Sequence, residues 1–346
     1  MATEIFPVID LSVGDDWPQT LGPKIVEACQ VWGFMILTGH GIPQQKIDRM
    51  FNLHKEFCAQ PLEVKSECRV DERQLGYDVK NSKIAVNECM VFGGTKGDVA
   101  QGKNIPSWWD AEKRADVEDF KSQAHKLGLK LLEVFATHFS LPAEYFSAAH
   151  NDERGPGSVL RMLHYPKLEE RPDKNFPRLY SHTDWGSVTF VWPQGGGLEV
   201  ETPSKKWMPV PLIPGSIVVN IGDALSLWSG KTLKSTLHKI SFDNLPIDQD
   251  RWSMAYFVNA NQDAKLEILK RDHEGKLVKD HGSIELTAGE YHQVRHYMSE
   301  KEDAKNNWVG KTEASKFDPR VIHAVESLGI ANGSGLVNFS PIVVKQ

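Results

Sequence analysis

The sequence predicts a mainly β protein with flanking helices and a jelly-roll core. Three observations carry this. From Ser158 to Asn259, strand-like runs alternate with Gly, Pro and Asp punctuation, and many short strands at regular spacing belong to a sandwich or barrel. The apolar positions before that region recur at helical spacing. No strand–helix–strand alternation runs through the chain, which argues against a doubly wound sheet.

With 346 residues and 40% hydrophobic content, one enlarged domain is the expectation, since single cores stop growing near roughly 250–300 residues. The balance of 40 basic and 46 acidic residues, net charge −6, argues against nucleic acid or an anionic membrane as the main partner. No run approaches the ~20 apolar residues that span a bilayer. The opening Met1-Ala2-Thr3-Glu4-Ile5 has neither a basic nor an apolar leader region. The four cysteines, Cys29, Cys58, Cys68 and Cys89, lack C-x-x-C spacing. Free thiols in a reducing, cytoplasmic compartment are therefore expected.

Phe6 to Leu11 reads as a short strand. Leu21, Ile25, Val26, Cys29 and Trp32 mark a helix, and Gly33 to Leu37 a buried strand. Ile47, Met50, Phe51, His54 and Phe57 mark a second helix closed by Pro61, with His54 a core histidine rather than a ligand. Residues 70 to 110 lack a clean period and read as a folded, lid-like loop with short strands, ended by Trp108-Trp109. A long helix from Ala111 to Ser140 and a short one from Leu141 to Phe146 follow. Core strands are predicted at Val159–Tyr165, Ser187–Trp192, Gly197–Glu201, Trp207–Pro211, Ser216–Ile221, Thr236–Phe242 and Arg251–Val258. Beyond Ala260, Lys265–Leu269 and Lys276–Lys279 are strand candidates. Gly289–Met298 and Phe317–Leu328 are helix candidates, and Ser299–Lys316 reads as a polar surface insertion.

Chemistry concentrates in Ser181-His182-Thr183-Asp184-Trp185-Gly186. Residues i and i+2 of a strand share a face, so His182 and Asp184 should project side by side from a strand end. His238 lies in a later strand-like run, and two imidazoles with one carboxylate form the facial set of non-haem Fe(II) oxygenases. Arg251 and Ser253 share one strand face with Ala255 and Phe257. A guanidinium facing an apolar interior needs an anion, and an iron-bound dicarboxylate would supply one for Arg251 to hold, with the Ser253 hydroxyl assisting. A zinc hydrolase reading leaves Arg251 unexplained.

The array His182-x-Asp184, His238 and Arg251-x-Ser253 resembles the Fe(II)- and 2-oxoglutarate-dependent oxygenases of the isopenicillin N synthase-like family. Leu160 to Pro166, Gly196 to Val200, Val219 to Asp223, Ala255-Tyr256-Phe257 and the N-terminal Phe6 to Leu11 are similar to the family's text as well. The likeness covers roughly residues 5 to 300. It leans to the microbial, fungal-type branch of thymine 7-hydroxylases, more faintly to ethylene-forming enzymes. The plant flavonoid branch differs, its Asn-x-Tyr-Pro appearing here as Leu163-His164-Tyr165-Pro166.

The resemblance implies a double-stranded β-helix. It implies Fe(II) on His182, Asp184 and His238, and 2-oxoglutarate held by Arg251 and Ser253 with Tyr165 touching it. It also implies O2 as co-reactant and ascorbate as a supportive reductant in vitro. The activity implied is oxidation of a C–H bond of a small organic substrate by hydroxylation, desaturation or oxidative cyclisation, with release of succinate and CO2, in specialised metabolism. Trp185, Arg161, Phe257, Met90 and Phe92 are the substrate-contact candidates. An ethylene-forming activity and a non-catalytic ligand-binding role are the alternatives. One oxygenase domain, 1–346, is expected, with an N-terminal helical region 1–150, a jelly-roll core 151–262 and a C-terminal extension 263–346, acting as a monomer or weak homo-oligomer.

Overall fold

The computed structural model describes residues 4–71, 73–81, 86–154, 157–171, 177–305 and 319–327. Helical spacing in the N-terminal part is realised as α1 (Trp17–Thr20), α2 (Gly22–Val31), α3 (Gln44–Cys58), α4 (Leu62–Lys65), α5 (Ala111–His138) and α6 (Glu144–Ser147). Asp110 caps the longest, α5, by accepting the Lys113 backbone N–H at 3.0 Å. The strands are β1 (Val8–Asp10), β2 (Phe34–Thr38), β3 (Gly76–Asn81), β4 (Val86–Phe92), β5 (Val159–Tyr165), β6 (Leu179–His182), β7 (Val188–Gln194), β8 (Leu198–Glu201), β9 (Trp207–Pro209), β10 (Ile217–Ile221), β11 (His238–Ile240) and β12 (Arg251–Val258). After α7 (Asp223–Trp228) and these strands come the hairpin β13 (Leu269–Arg271) and β14 (Leu277–Lys279), then α8 (Ala288–Lys305) and α9 (Pro319–Ser327).

Two sheets form the core. The large one runs β1-β2-β10-β7-β12-β5-β4-β3 and the small one β6-β11-β8-β9. Among the described strands of these sheets, only β1 and β2 pair in parallel. Cross-strand partners share a face, so register identifies the two sides of the large sheet. Val91, Arg161, Ala255, Val191 and Val218 form one row across five strands. Met90, Met162, Met254 and Trp192 form the adjacent row on the opposite face.

The Met90 row packs against the helices. Phe120 of α5 meets the Trp192 ring at 4.9 Å, and the cluster joins Leu131, Phe135, Phe190 and Tyr256. His54 is fully buried on α3, edge-on to Trp252 at 5.1 Å, a core histidine as its apolar neighbours predict. The Val91 row faces the small sheet, whose inward side carries His182, His238, Val200 and Met208 in register. Phe34, Ile36, Val200 and Val218 cluster in that interior.

Three expectations are corrected. Gly76–Asn81 and Val86–Phe92 are not a lid-like loop but the antiparallel pair β3 and β4, extending the large sheet at its edge. Between the expected strands Val159–Tyr165 and Ser187–Trp192 lies a further one, β6, which carries His182 in the small sheet while Val188–Gln194 belongs to the other. Helix α8 continues past Met298 to Lys305, so the first part of the expected surface insertion is helical; residues 306–316 lie outside the described set. None of the described helices is long and apolar enough to cross a membrane.

Candidate active site

β6 and β11 are antiparallel neighbours, with His182 opposite His238. Their rings stand 4.2 Å apart by centroid, and Phe34 meets the His238 ring edge-on at 5.3 Å. His182 Nδ1 bonds the Tyr180 carbonyl at 2.8 Å and His238 Nδ1 bonds the Thr236 carbonyl at 3.2 Å. A carbonyl only accepts, so both Nδ1 atoms carry a proton and Nε2 is the ring atom that each histidine offers as a metal ligand. Those Nε2 atoms lie 3.9 and 3.7 Å from Asp184 Oδ1.

Two imidazole nitrogens and one carboxylate oxygen therefore converge, a donor set that a divalent cation can bridge. The three ligand atoms lie within 4.8 Å of one another. Two imidazole nitrogens and one carboxylate oxygen suit Fe(II) and leave coordination positions open. Asp184 Oδ2 accepts from Asn220 Nδ2 at 2.7 Å. Burial raises the Asp184 pKa, but His238, His182, Thr189 and Asn220 outweigh it, and the carboxyl is held below its ordinary value.

The turn after His182 is shaped by close packing. A Cβ on Gly186 would sit 1.9 Å from Asn259 Oδ1, and one on Gly222 2.2 Å from the Gly186 carbonyl oxygen. Asp223 N donates to the Asp184 carbonyl at 2.7 Å, and Thr183 Oγ1 donates to Asp223 Oδ2 at 2.9 Å. His150 Nε2 bonds Ser187 Oγ at 2.8 Å from behind.

Across the interior, β12 presents Arg251, Ser253, Ala255 and Phe257 opposite Tyr165, Leu163, Arg161 and Val159 of β5. Arg251 is 2% exposed. Its Nε donates to the Gly196 carbonyl at 2.9 Å and its Nη1 to Ser253 Oγ at 3.1 Å. Its guanidinium carbon stands 5.4 Å from the Tyr165 ring centre. Burial lowers the Arg251 pKa, with Tyr165 opposing.

Residues 156–260, which hold all of the metal and anion candidates, match the 2OG-Fe(II) oxygenase superfamily, and residues 6–122 match the family described as non-haem dioxygenase in morphine synthesis N-terminal. A UPF0676 protein of Schizosaccharomyces pombe is 30% identical over 82% of this chain and 89% of its own. The proline hydroxylase buaE of Petromyces alliaceus is 30% identical over 76% of this chain and 88% of its own. The chain belongs to the 2OG-Fe(II) oxygenase superfamily.

Among solved structures, a 2OG-Fe(II) oxygenase family protein of Caulobacter crescentus superposes with a TM-score of 0.72 at 26% identity, covering 85% of this chain and 99% of the other. The full-length thymine 7-hydroxylase of Neurospora crassa with alpha-KG and thymine gives 0.72 at 23% identity over 84% of this chain and 96% of the other, a likeness of fold. As a superfamily member, this oxygenase is a 2-oxoglutarate-dependent dioxygenase and uses Fe(II), 2-oxoglutarate and O2. An iron/ascorbate oxidoreductase of Dictyostelium discoideum, 28% identical over 88% of this chain and 97% of its own, accords with ascorbate as the supporting reductant.

The other candidate residues fall in different places. Arg161 and Phe257 line the interior face. Half-buried Trp185 packs under α8, with the Arg295 guanidinium 5.6 Å from its ring centre and the His296 ring at 6.5 Å. Met90 and Phe92 do not reach the interior. They are buried among the helices on the opposite face, Phe92 against Trp109 at 4.8 Å. The β4 residues that share the Arg161 face are Cys89 and Val91. A cleft of about 510 Å³, lined by Lys121, His150, Asp152 and Tyr256 among others, includes none of the metal or anion candidates.

Sequence reasoning missed Asn220, the only strongly polar side chain in Ile217–Ile221, an anomaly in a strand buried on both faces. It also missed Arg178, which lies four residues before His182 across a register shift in β6, and the Asp223–Arg295 ion pair at 3.1 Å.

Proposed function

We propose that this oxygenase oxidises a C–H bond of a small organic molecule, by hydroxylation in the first instance, as a step of specialised metabolism. His182, Asp184 and His238 hold the iron, and Arg251, Ser253 and Tyr165 hold the far carboxylate of 2-oxoglutarate. The supporting observation is the convergence of two Nε2 atoms and Asp184 Oδ1 in the interior that the Arg251–Ser253 pair faces from the other sheet. When bound, the iron and cosubstrate supply the oxidant for the C–H bond, with succinate and CO2 released.

The protein's own residues fix the rest. The Tyr180 and Thr236 carbonyls orient the two imidazoles. Gly196 and Ser253 aim the Arg251 fork, so its remaining N–H groups meet a carboxylate without reorganisation. The mixed lining by Leu163, Val91, Ala255 and Phe257, with the cation of Arg161, suits a small molecule with an apolar body and an acidic group. Relatives named proline hydroxylase and 1-aminocyclopropane-1-carboxylate oxidase support small-molecule chemistry.

Protein supplied with Fe(II), ascorbate and 2-oxoglutarate should release succinate in a substrate-dependent manner across a panel of small acids and heterocycles. His182→Ala should reduce that release by at least about 10²-fold, and turnover left intact by this change refutes the reading. Ethylene in the headspace would favour fragmentation of the cosubstrate. Iron and cosubstrate binding without succinate from any substrate would favour a ligand-binding role.

A further inference from the structure

Two buried guanidiniums address one phenol ring. Arg178 and Arg251 are each 2% exposed, and their guanidinium carbons stand 5.5 and 5.4 Å from the Tyr165 ring centre. Neither forms an ion pair with a carboxylate among the described residues. Burying a guanidinium without a counter-charge is costly, and here two such charges lie close together. Burial lowers the Arg178 pKa and repulsion from Arg251 adds to it, with Tyr165 and the more distant Asp250 opposing.

The donors are only partly used. Arg178 Nη2 bonds the Pro166 carbonyl, while its Nη1 is buried without a hydrogen-bond partner. Arg251 uses Nε and one Nη1 bond and leaves Nη2 available. The Tyr165 hydroxyl has no hydrogen-bond partner among the described residues either. Arg178 enters β6 by donating its backbone N–H to the Ile240 carbonyl at 2.8 Å. The pairing of β6 with β11 shifts register between Leu179 and His182, and the Arg178 guanidinium reaches the interior ring of Tyr165. Unused donors of like charge around one spot call for an anion.

We propose that Arg178 is a second cationic contact for the far carboxylate of the cosubstrate, and that the Arg178–Tyr165–Arg251 group selects a dicarboxylic 2-oxoacid over a monocarboxylic one. The inference rests on the reading of Arg251 as the cosubstrate anchor. Arg251 supplies the oriented fork, and Arg178 supplies a further N–H and the second charge that a fully ionised carboxylate balances. A purely structural Arg178, propping Pro166 and the Tyr165 ring, would not distinguish between 2-oxoacids.

The test is anaerobic isothermal titration of 2-oxoglutarate and of pyruvate into the Fe(II)-loaded protein. Arg178→Gln should weaken 2-oxoglutarate binding by about tenfold or more, the worth of one charge-assisted hydrogen bond, and leave pyruvate binding within about twofold. Arg178→Lys, which keeps the charge and loses the planar fork, should recover part of the loss. Where the Gln variant does not fold, the Lys variant decides: a loss confined to 2-oxoglutarate supports the assignment, and unchanged affinity overturns it. Equal losses for both 2-oxoacids overturn it too. So does intact 2-oxoglutarate affinity with impaired substrate turnover, which would move Arg178 to a substrate carboxylate. Arg251→Gln is the control. If it also leaves 2-oxoglutarate affinity intact, the anchor reading fails; if it alone weakens binding, that reading stands and only the role of Arg178 falls.

Discussion

Asp184 divides its two oxygens between two tasks. Oδ1 faces the imidazoles, and Oδ2 is held by Asn220 at 2.7 Å. A carboxylate tied at one oxygen presents the other at a fixed angle, which is how outer partners tune a metal site. Asn220→Ala should therefore weaken Fe(II) affinity by about 10- to 100-fold while the fold persists, since Thr189 also bonds the carboxylate. Equilibrium dialysis with Fe(II) under anaerobic conditions checks this, and unchanged affinity would mean that Asn220 only satisfies a buried strand. At this scale the sequence displayed the groups whose chemistry is unusual for their setting. His182, Asp184, His238 and inward Arg251 are polar residues in strand text, and the period of two aims them. Met90 and Phe92 fall on the helix-packed face because Cys89 to Phe92 is apolar on both faces of β4, so side-chain type does not distinguish that face from the interior.

Helix α8 reaches the metal-binding turn from outside the jelly roll. Arg295 pairs with Asp223 at 3.1 Å, and both groups are shielded, with side chains 11% and 2% exposed. Burial raises the Asp223 pKa, with Arg295 opposing. Asp223 in turn accepts from Thr183 Oγ1, and its N–H holds the Asp184 carbonyl. Arg295→Met should leave a buried carboxyl without its cation, at a cost of roughly 3–5 kcal/mol in stability for a broken buried pair. It should also loosen the turn between two ligands. Both thermal unfolding of the metal-free protein and Fe(II) affinity should fall. A variant with wild-type Fe(II) affinity and lower stability would show that α8 braces the fold but not the turn. The first part of the helix was legible from Gly289 to Met298, but its polar remainder was not, because charged residues on every side leave no apolar period to read. The β3–β4 pair was obscured for the converse reason: β4 is buried on both faces and carries no alternation.

The architecture as a whole followed from order and punctuation, helices first and then short strands, because sandwich strands must alternate and turn at regular intervals. Which strands shared a sheet was not legible, since β6 and β7 are adjacent in sequence yet lie in opposite sheets. That assembly buries titratable groups in quantity, and their sum sets the acid limit of the molecule. Burial holds His54 near a pKa of about 3 and His150 near about 4, each from an ordinary 6.5. Glu88, though burial raises its pKa, is brought down to about 2 by bonds from His164, Lys65 and Tyr77. Each histidine is neutral when folded and charges readily when unfolded. Its contribution is therefore complete above about pH 6.5 and lost as pH falls toward 4 and 3, by up to about 1.4 kcal/mol per pH unit. The Glu88 contribution is complete above about pH 4.5 and lost as pH falls toward 2. Stability of the metal-free protein should thus decline in two stages, the first set by histidines and the second by the Glu88 network. His54→Leu isolates the first stage. Both His54 ring nitrogens are buried without a hydrogen-bond partner, so an apolar side chain of similar volume should stabilise the fold by about 1 kcal/mol at pH 7. In urea unfolding at pH 7, 5.5 and 4.5 it should also flatten the decline. An unchanged slope would show that His54 gains no proton on unfolding and that the acid limit lies elsewhere.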